Sequence, residues 1–96
     1  MFVFKNRVFI DMDGVIVDFE RYMRECNMSA DMTKHMPGAY RSMQPIPGAI
    51  DAVRRVIDMG YEVWIATKPP SNNTAAYSEK AEWVTEHIPE LAIVLS

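Results

Sequence analysis

Three short apolar runs mark the chain: Val8 to Ile10, Tyr61 to Ala66 and Leu91 to Leu95. Runs of this length, without polar alternation, predict strands buried on both faces. Phe2 to Phe4 either extends the first run or forms a short strand of its own. Between the runs the spacing turns helical. Phe19, Tyr22, Met23 and Cys26 share one side of a helix predicted over 18–26, with Asn27 and Ser29 as a stop and a restart. Pro45-Ile46-Pro47-Gly48 is a turn into a second helix, about Ala49 to Met59. There Ile50, Val53, Val56 and Ile57 oppose Asp51, Arg54, Arg55 and Asp58, and Gly60 ends it. Thr67-Lys68-Pro69-Pro70 closes the second strand, and Thr74 caps a third helix running to about His87. Its apolar stripe reads as Tyr77, Ala81, Val84 and Ile88. The stretch from Met28 to Met43 is methionine-rich and broken by Pro37-Gly38. Met28, Met32 and Met36, four apart, predict a packing stripe rather than a substrate surface.

The order strand, helices, strand, helix, strand makes two βαβ units, so an α/β fold with a parallel sheet is expected. With 96 residues the chain is one domain, and 49% hydrophobic with 24% charged residues is a globular composition. A formal charge of −3 argues against a general binder of nucleic-acid polymers. Cys26 is the only cysteine, which excludes an intrachain disulfide and fits a reducing compartment. No stretch approaches the ~20 apolar residues of a membrane span, and the apolar start is too short for a signal peptide. A cytoplasmic protein is expected.

The first run ends in Asp11-Met12-Asp13-Gly14. Side chains two apart on an extended segment point the same way, so both carboxylates should converge at the strand's carboxyl end. Open α/β sheets bind ligands there. A calcium loop of EF-hand type fails, because Val15, Ile16 and Tyr22 stand where the fifth ligand, the glycine and the closing glutamate belong. Two turn or capping aspartates are the plainest alternative. Metal-assisted phosphoryl transfer is the third. Phosphate monoester hydrolysis needs accelerations of up to about 10²¹. A carboxylate nucleophile divides it into two steps, and a hard cation such as Mg²⁺ offsets the repulsion between carboxylate and phosphate. On this account Asp11 is nucleophile and metal ligand. Asp13 is the general acid/base and a second ligand. Thr67, at the end of the second strand, would hold phosphate oxygens at the same edge, with Gly14 and Lys68 beside it.

With these residues placed, the chain resembles the haloacid dehalogenase (HAD) superfamily of phosphohydrolases, whose first motif is DxDGV and whose second is a strand-terminal Thr or Ser. Within it the similarity is to the 5′(3′)-deoxyribonucleotidases. It rests on Ile10-Asp11-Met12-Asp13-Gly14-Val15-Ile16-Val17-Asp18-Phe19, on Gln44-Pro45-Ile46-Pro47-Gly48-Ala49-Ile50 and on Trp83-Val84 within Glu79 to His87. The resemblance implies a Rossmann-like core over residues 1–21 and 44–96, with three parallel strands in this chain. It also implies a small helical cap over 22–43, shorter than is usual and carrying Tyr40 where paired phenylalanines are common. The implied activity is Mg²⁺-dependent removal of phosphate from nucleoside monophosphates through an aspartyl-phosphate.

Two motifs of the resembled enzymes have no counterpart where they are expected, a lysine just after the third strand and an acidic pair beyond it. The first strand is central in that fold, and strands missing here would leave its edge exposed. A fragment, a second copy covering that edge, or a minimal variant that covers it some other way would each account for this. The alternatives to a nucleotidase are therefore a module that binds phosphate or nucleotide without turnover, and a phosphatase for another ester.

Overall fold

The computed structural model describes residues 2–4, 6–68 and 75–95, with side chains over 6–68 and 75–91. Four strands form one sheet in the order β1 (Phe2–Phe4), β2 (Arg7–Asp11), β3 (Glu62–Thr67) and β4 (Ala92–Leu95). β2, β3 and β4 run parallel, with Arg7 opposite Glu62, Asp11 opposite Ala66 and Thr67 opposite Leu95. β1 is antiparallel to β2, pairing Phe2 with Phe9 and Phe4 with Arg7. The sheet is therefore mixed.

That pairing corrects one expectation. The outer edge of the first apolar strand is not left open along Arg7 to Phe9, because the chain's own N-terminal strand takes it. A second copy is not needed to cover those backbone groups, which removes the physical reason for an oligomer there.

β2 and β3 alternate in burial. Val8, Ile10, Val63 and Ile65 are buried on one face, while Phe9, Trp64 and Ala66 on the other are partly covered. The helices are α1 (Phe19–Cys26), α2 (Ala30–His35), α3 (Ala39–Ser42), α4 (Ala49–Asp58) and α5 (Ala75–His87). Asp18 caps α1 by accepting from the Arg21 N–H, and Asn27 closes it in the left-handed conformation. Ser29 caps α2 through the Met32 N–H. α4 buries Val53 and packs Ile50, Val56 and Ile57 against the core, as its periodicity predicts. The Thr74 cap and the Pro69-Pro70 closure lie outside the described residues.

One expectation about packing does not hold, and a second holds only for Val84 and Ile88. Met32 and Met36 are 54% and 40% exposed, and the residue α2 buries is Thr33, whose hydroxyl donates to the Ser29 carbonyl at 2.8 Å. On α5, Tyr77 is exposed and the buried stripe is Ala76, Glu79, Lys80, Trp83 and Val84, followed by Ile88. The stripe is rotated because two of its members carry charge, which a hydrophobic pattern assigns to the surface.

α3 is held to α5 by three contacts. The Gly38 N–H donates to Glu79 Oε2 at 2.9 Å, the Trp83 indole N–H donates to the Met43 carbonyl at 2.9 Å, and Arg41 pairs with Glu82. Ala39, Tyr40 and Met43 belong to the same buried cluster as the strands.

Candidate active site

β2 carries Asp11 to the carboxyl edge of the sheet, and the chain then folds back on itself. The Met12 carbonyl accepts from the N–H groups of Val15, Ile16 and Val17 at 3.3, 3.0 and 3.0 Å, and Gly14 donates to the Val17 carbonyl at 3.0 Å. This loop needs Gly14 at φ +76°, a left-handed conformation costly to residues with a Cβ. Met12 is 1% exposed, and Asp11 and Asp13 on either side of it are exposed. The i, i+2 pattern thus sends the apolar residue into the core and both acids outward, as the sequence predicts.

Thr67 ends β3 one residue past the partner of Asp11, and it is 6% exposed. The side chain that joins it to the acid pair is Lys80, on α5. Its ammonium donates to Thr67 Oγ1 at 2.8 Å, approaches Asp13 Oδ2 at 3.5 Å, and lies 3.4 Å from the Lys68 carbonyl. It also sits 4.6 Å from the centroid of the Tyr40 ring, in range of a cation–π contact. The Tyr40 hydroxyl donates to Asp13 Oδ2 at 3.3 Å. The structure therefore brings Asp13, Thr67, Lys80 and Tyr40 together, with Asp11 at the same strand end. Lys68 joins through its carbonyl; the residue itself is exposed.

Lys80 is 1% exposed. Burial lowers its pKa below the usual lysine value, while the Asp13 charge opposes that shift and the Lys34 charge adds to it. Burial, then the charge of Asp13, raises the Tyr40 phenol pKa well above its ordinary value, so the hydroxyl stays protonated and donates. Glu79 is 6% exposed, with Oε2 spent on Gly38 and Oε1 without a partner among the described residues.

Sequence reading missed Lys80 and left Tyr40 as a departure from a pattern. The resemblance places a lysine after the third strand; here a lysine reaches the acid pair from the helix before β4. The signal was present. Lys80 stands four residues after Ala76 and three before Trp83, so a helix drawn through those two buries it. His35 and His87 stay apart from the site: each ring Nδ1 lies by a backbone carbonyl four residues back, and His87 stacks on Trp83 at 4.0 Å.

The donor set suits a hard cation. Asp11 and Asp13 offer carboxylate oxygens, and both residues are exposed. Mg²⁺ is commonly held by one or two carboxylates, several waters and a substrate phosphate. Among the described residues no group of three or more His, Cys, Asp or Glu side chains gathers.

The fold and site define a class: an α/β protein with two strand-terminal acids, a strand-terminal threonine and a buried lysine at one sheet edge. The family described as 5′ nucleotidase, deoxy (pyrimidine), cytosolic type C protein matches residues 28–95. The cytosolic-type 5′(3′)-deoxyribonucleotidase of Homo sapiens is 29% identical over 115 residues, covering 85% of this chain and 57% of that protein. A protein of Vibrio phage KVP40, named as a candidate 5′(3′)-deoxyribonucleotidase, is 30% identical over 88% of this chain and 52% of its own length. A similarly named protein of Bordetella bronchiseptica is 33% identical over 72% of this chain and 37% of its own. The chain belongs to the 5′(3′)-deoxyribonucleotidase family of the HAD superfamily. It spans about half the length of the first two of these relatives. Among the described residues no helix is long and apolar enough to cross a membrane.

Proposed function

We propose that this chain carries the nucleophile-bearing part of a Mg²⁺-dependent phosphatase acting on (deoxy)nucleoside monophosphates in the cytoplasm. The observation that carries the reading is the meeting of Lys80 with Thr67 and Asp13 at the carboxyl end of β2 and β3. A buried ammonium beside a threonine hydroxyl gives this sheet edge positive charge, and low surrounding polarity strengthens its field. The names of the matched relatives supply the substrate class.

In this mechanism Asp11 is the nucleophile and attacks phosphorus to form an aspartyl-phosphate. Asp13 protonates the leaving alkoxide and then takes a proton from the attacking water. Thr67 holds phosphate oxygens beside the turn that Gly14 makes, and Lys80 balances their charge. Asp11 and Asp13 would hold Mg²⁺, which when bound offsets the repulsion between carboxylate and phosphate. Residues 22–43 act as a small cap, the exposed Met32 and Met36 lying within it.

The test is phosphate release from deoxyribonucleoside monophosphates and from p-nitrophenyl phosphate, with and without Mg²⁺. Release that needs Mg²⁺ and disappears in Asp11→Asn supports the reading; activity kept in Asp11→Asn removes the nucleophile assignment. One observation favours a second reading, binding without turnover: the described residues offer no third acid. Saturable nucleotide binding with no turnover at any Mg²⁺ concentration would select it.

A further inference from the structure

We propose that Tyr40 is a positioning residue of this site, its hydroxyl fixing the Asp13 carboxyl and its ring seating the Lys80 ammonium. The inference rests on the phosphatase reading and assigns a residue to it. Tyr40 is 1% exposed, and a phenylalanine would fill the same volume. A buried phenol needs a partner for its hydroxyl, and the one found here is Asp13 Oδ2. The Lys80 ammonium approaches that same oxygen. Both contacts thus fall on Oδ2, which tethers one side of the carboxyl and leaves Oδ1 for proton transfer.

Tyr40 can do this because its own place is set elsewhere. α3 is pinned to α5 through Gly38 with Glu79 and Met43 with Trp83, and α5 is the helix that carries Lys80. Phenol and ammonium therefore reach Asp13 from one rigid unit. Held by Lys80 alone, Asp13 would have a single contact of 3.5 Å and a side chain that is 34% exposed. An acid/base group must lie within hydrogen-bond reach of its proton, so lost orientation lowers kcat more than it weakens binding.

The experiment compares wild type, Tyr40→Phe and Tyr40→Leu in Mg²⁺-dependent hydrolysis of p-nitrophenyl phosphate, and records the ¹³Cγ resonances of Asp13 and Asp11. A hydrogen bond to a carboxylate, here a long one, predicts that Tyr40→Phe lowers kcat about tenfold with KM within about twofold and Tm little changed. Its Asp13 resonance moves and that of Asp11 stays. Tyr40→Leu, which also removes the ring beneath Lys80, lowers kcat further and raises KM. Wild-type kcat in Tyr40→Phe overturns the proposal, as does an unmoved Asp13 resonance. If wild type and Asp11→Asn release phosphate equally slowly, the phosphatase reading fails by itself. The Asp13 resonance, which needs no turnover, then decides whether Tyr40 holds this carboxyl.

Discussion

Gly14 and Lys80 show how single residues set the terms of the site. At φ +76° Gly14 has open space where a Cβ would stand, so the cost of a side chain there is backbone strain alone. Gly14→Ala should lose about 1 kcal/mol in chemical denaturation, and Gly14→Asn less, since asparagine tolerates this conformation. Lys80 raises the opposite issue, because its burial works against the fold. Lys80→Met keeps the volume and removes the desolvated charge, and Asp13 is open enough for water to replace its partner. That variant should be as stable as wild type or more so, by about 1 kcal/mol in denaturant titration. It should also lose inhibition by inorganic phosphate. The placement of Asp11, Asp13 and Thr67 at one sheet edge could be read from the sequence because strand ends and i, i+2 spacing are local. Lys80 was missed although its spacing from Ala76 and Trp83 puts it on the buried face, since charge is scored as exposure and its partner lies 67 positions away.

At the scale of elements, α5 and α3 act as one piece. The Trp83 indole, 1% exposed, donates to the last carbonyl before the Gln44 turn. Trp83→Phe keeps an aromatic ring but leaves the Met43 carbonyl without that donor. It should lower stability by about 2 kcal/mol, read from the shift of the urea midpoint at constant slope. The helices themselves were legible where caps and periodicity agreed, as in α1 with Asp18 and α4 with its four-residue apolar face. The faces of α2 and α5 were not. In α2 exposed methionines imitate a packing stripe, and in α5 two buried charged residues hide one. β1 was undecided for another reason: three apolar residues do not specify their partner, and only the register with β2 does.

Across the whole molecule, the chemistry gathers at the carboxyl edge of the sheet and the exposed ion pairs lie elsewhere. Arg54 joins Glu90 at 3.1 Å and also reaches the His87 carbonyl, tying α4 to the end of α5. The Glu90 pKa is lowered, first by a backbone hydrogen bond and then by Arg54. A lowered carboxylate pKa contributes stability above the unfolded value and loses it as pH falls through the folded one. The Tm difference between wild type and Glu90→Gln should therefore be present at neutral pH and fade as pH drops below 4.5. Added salt should shrink it, because both side chains are exposed. The α/β class and the parallel pairing followed from element order, but the mixed sheet did not.

The register of β2 with β3 also governs the order in which the molecule can be assembled. Arg7 and Glu62 are 55 positions apart, and bringing such distant segments together is entropically slow. The local β1–β2 hairpin contains Asp11 but neither Thr67 nor Lys80. A chain emerging from the ribosome would thus hold its acids long before the cation that completes their setting. Nothing short of the closed sheet can contain a working subset of the site. An anion site of the proposed kind would therefore be complete only once β2 and β3 have paired.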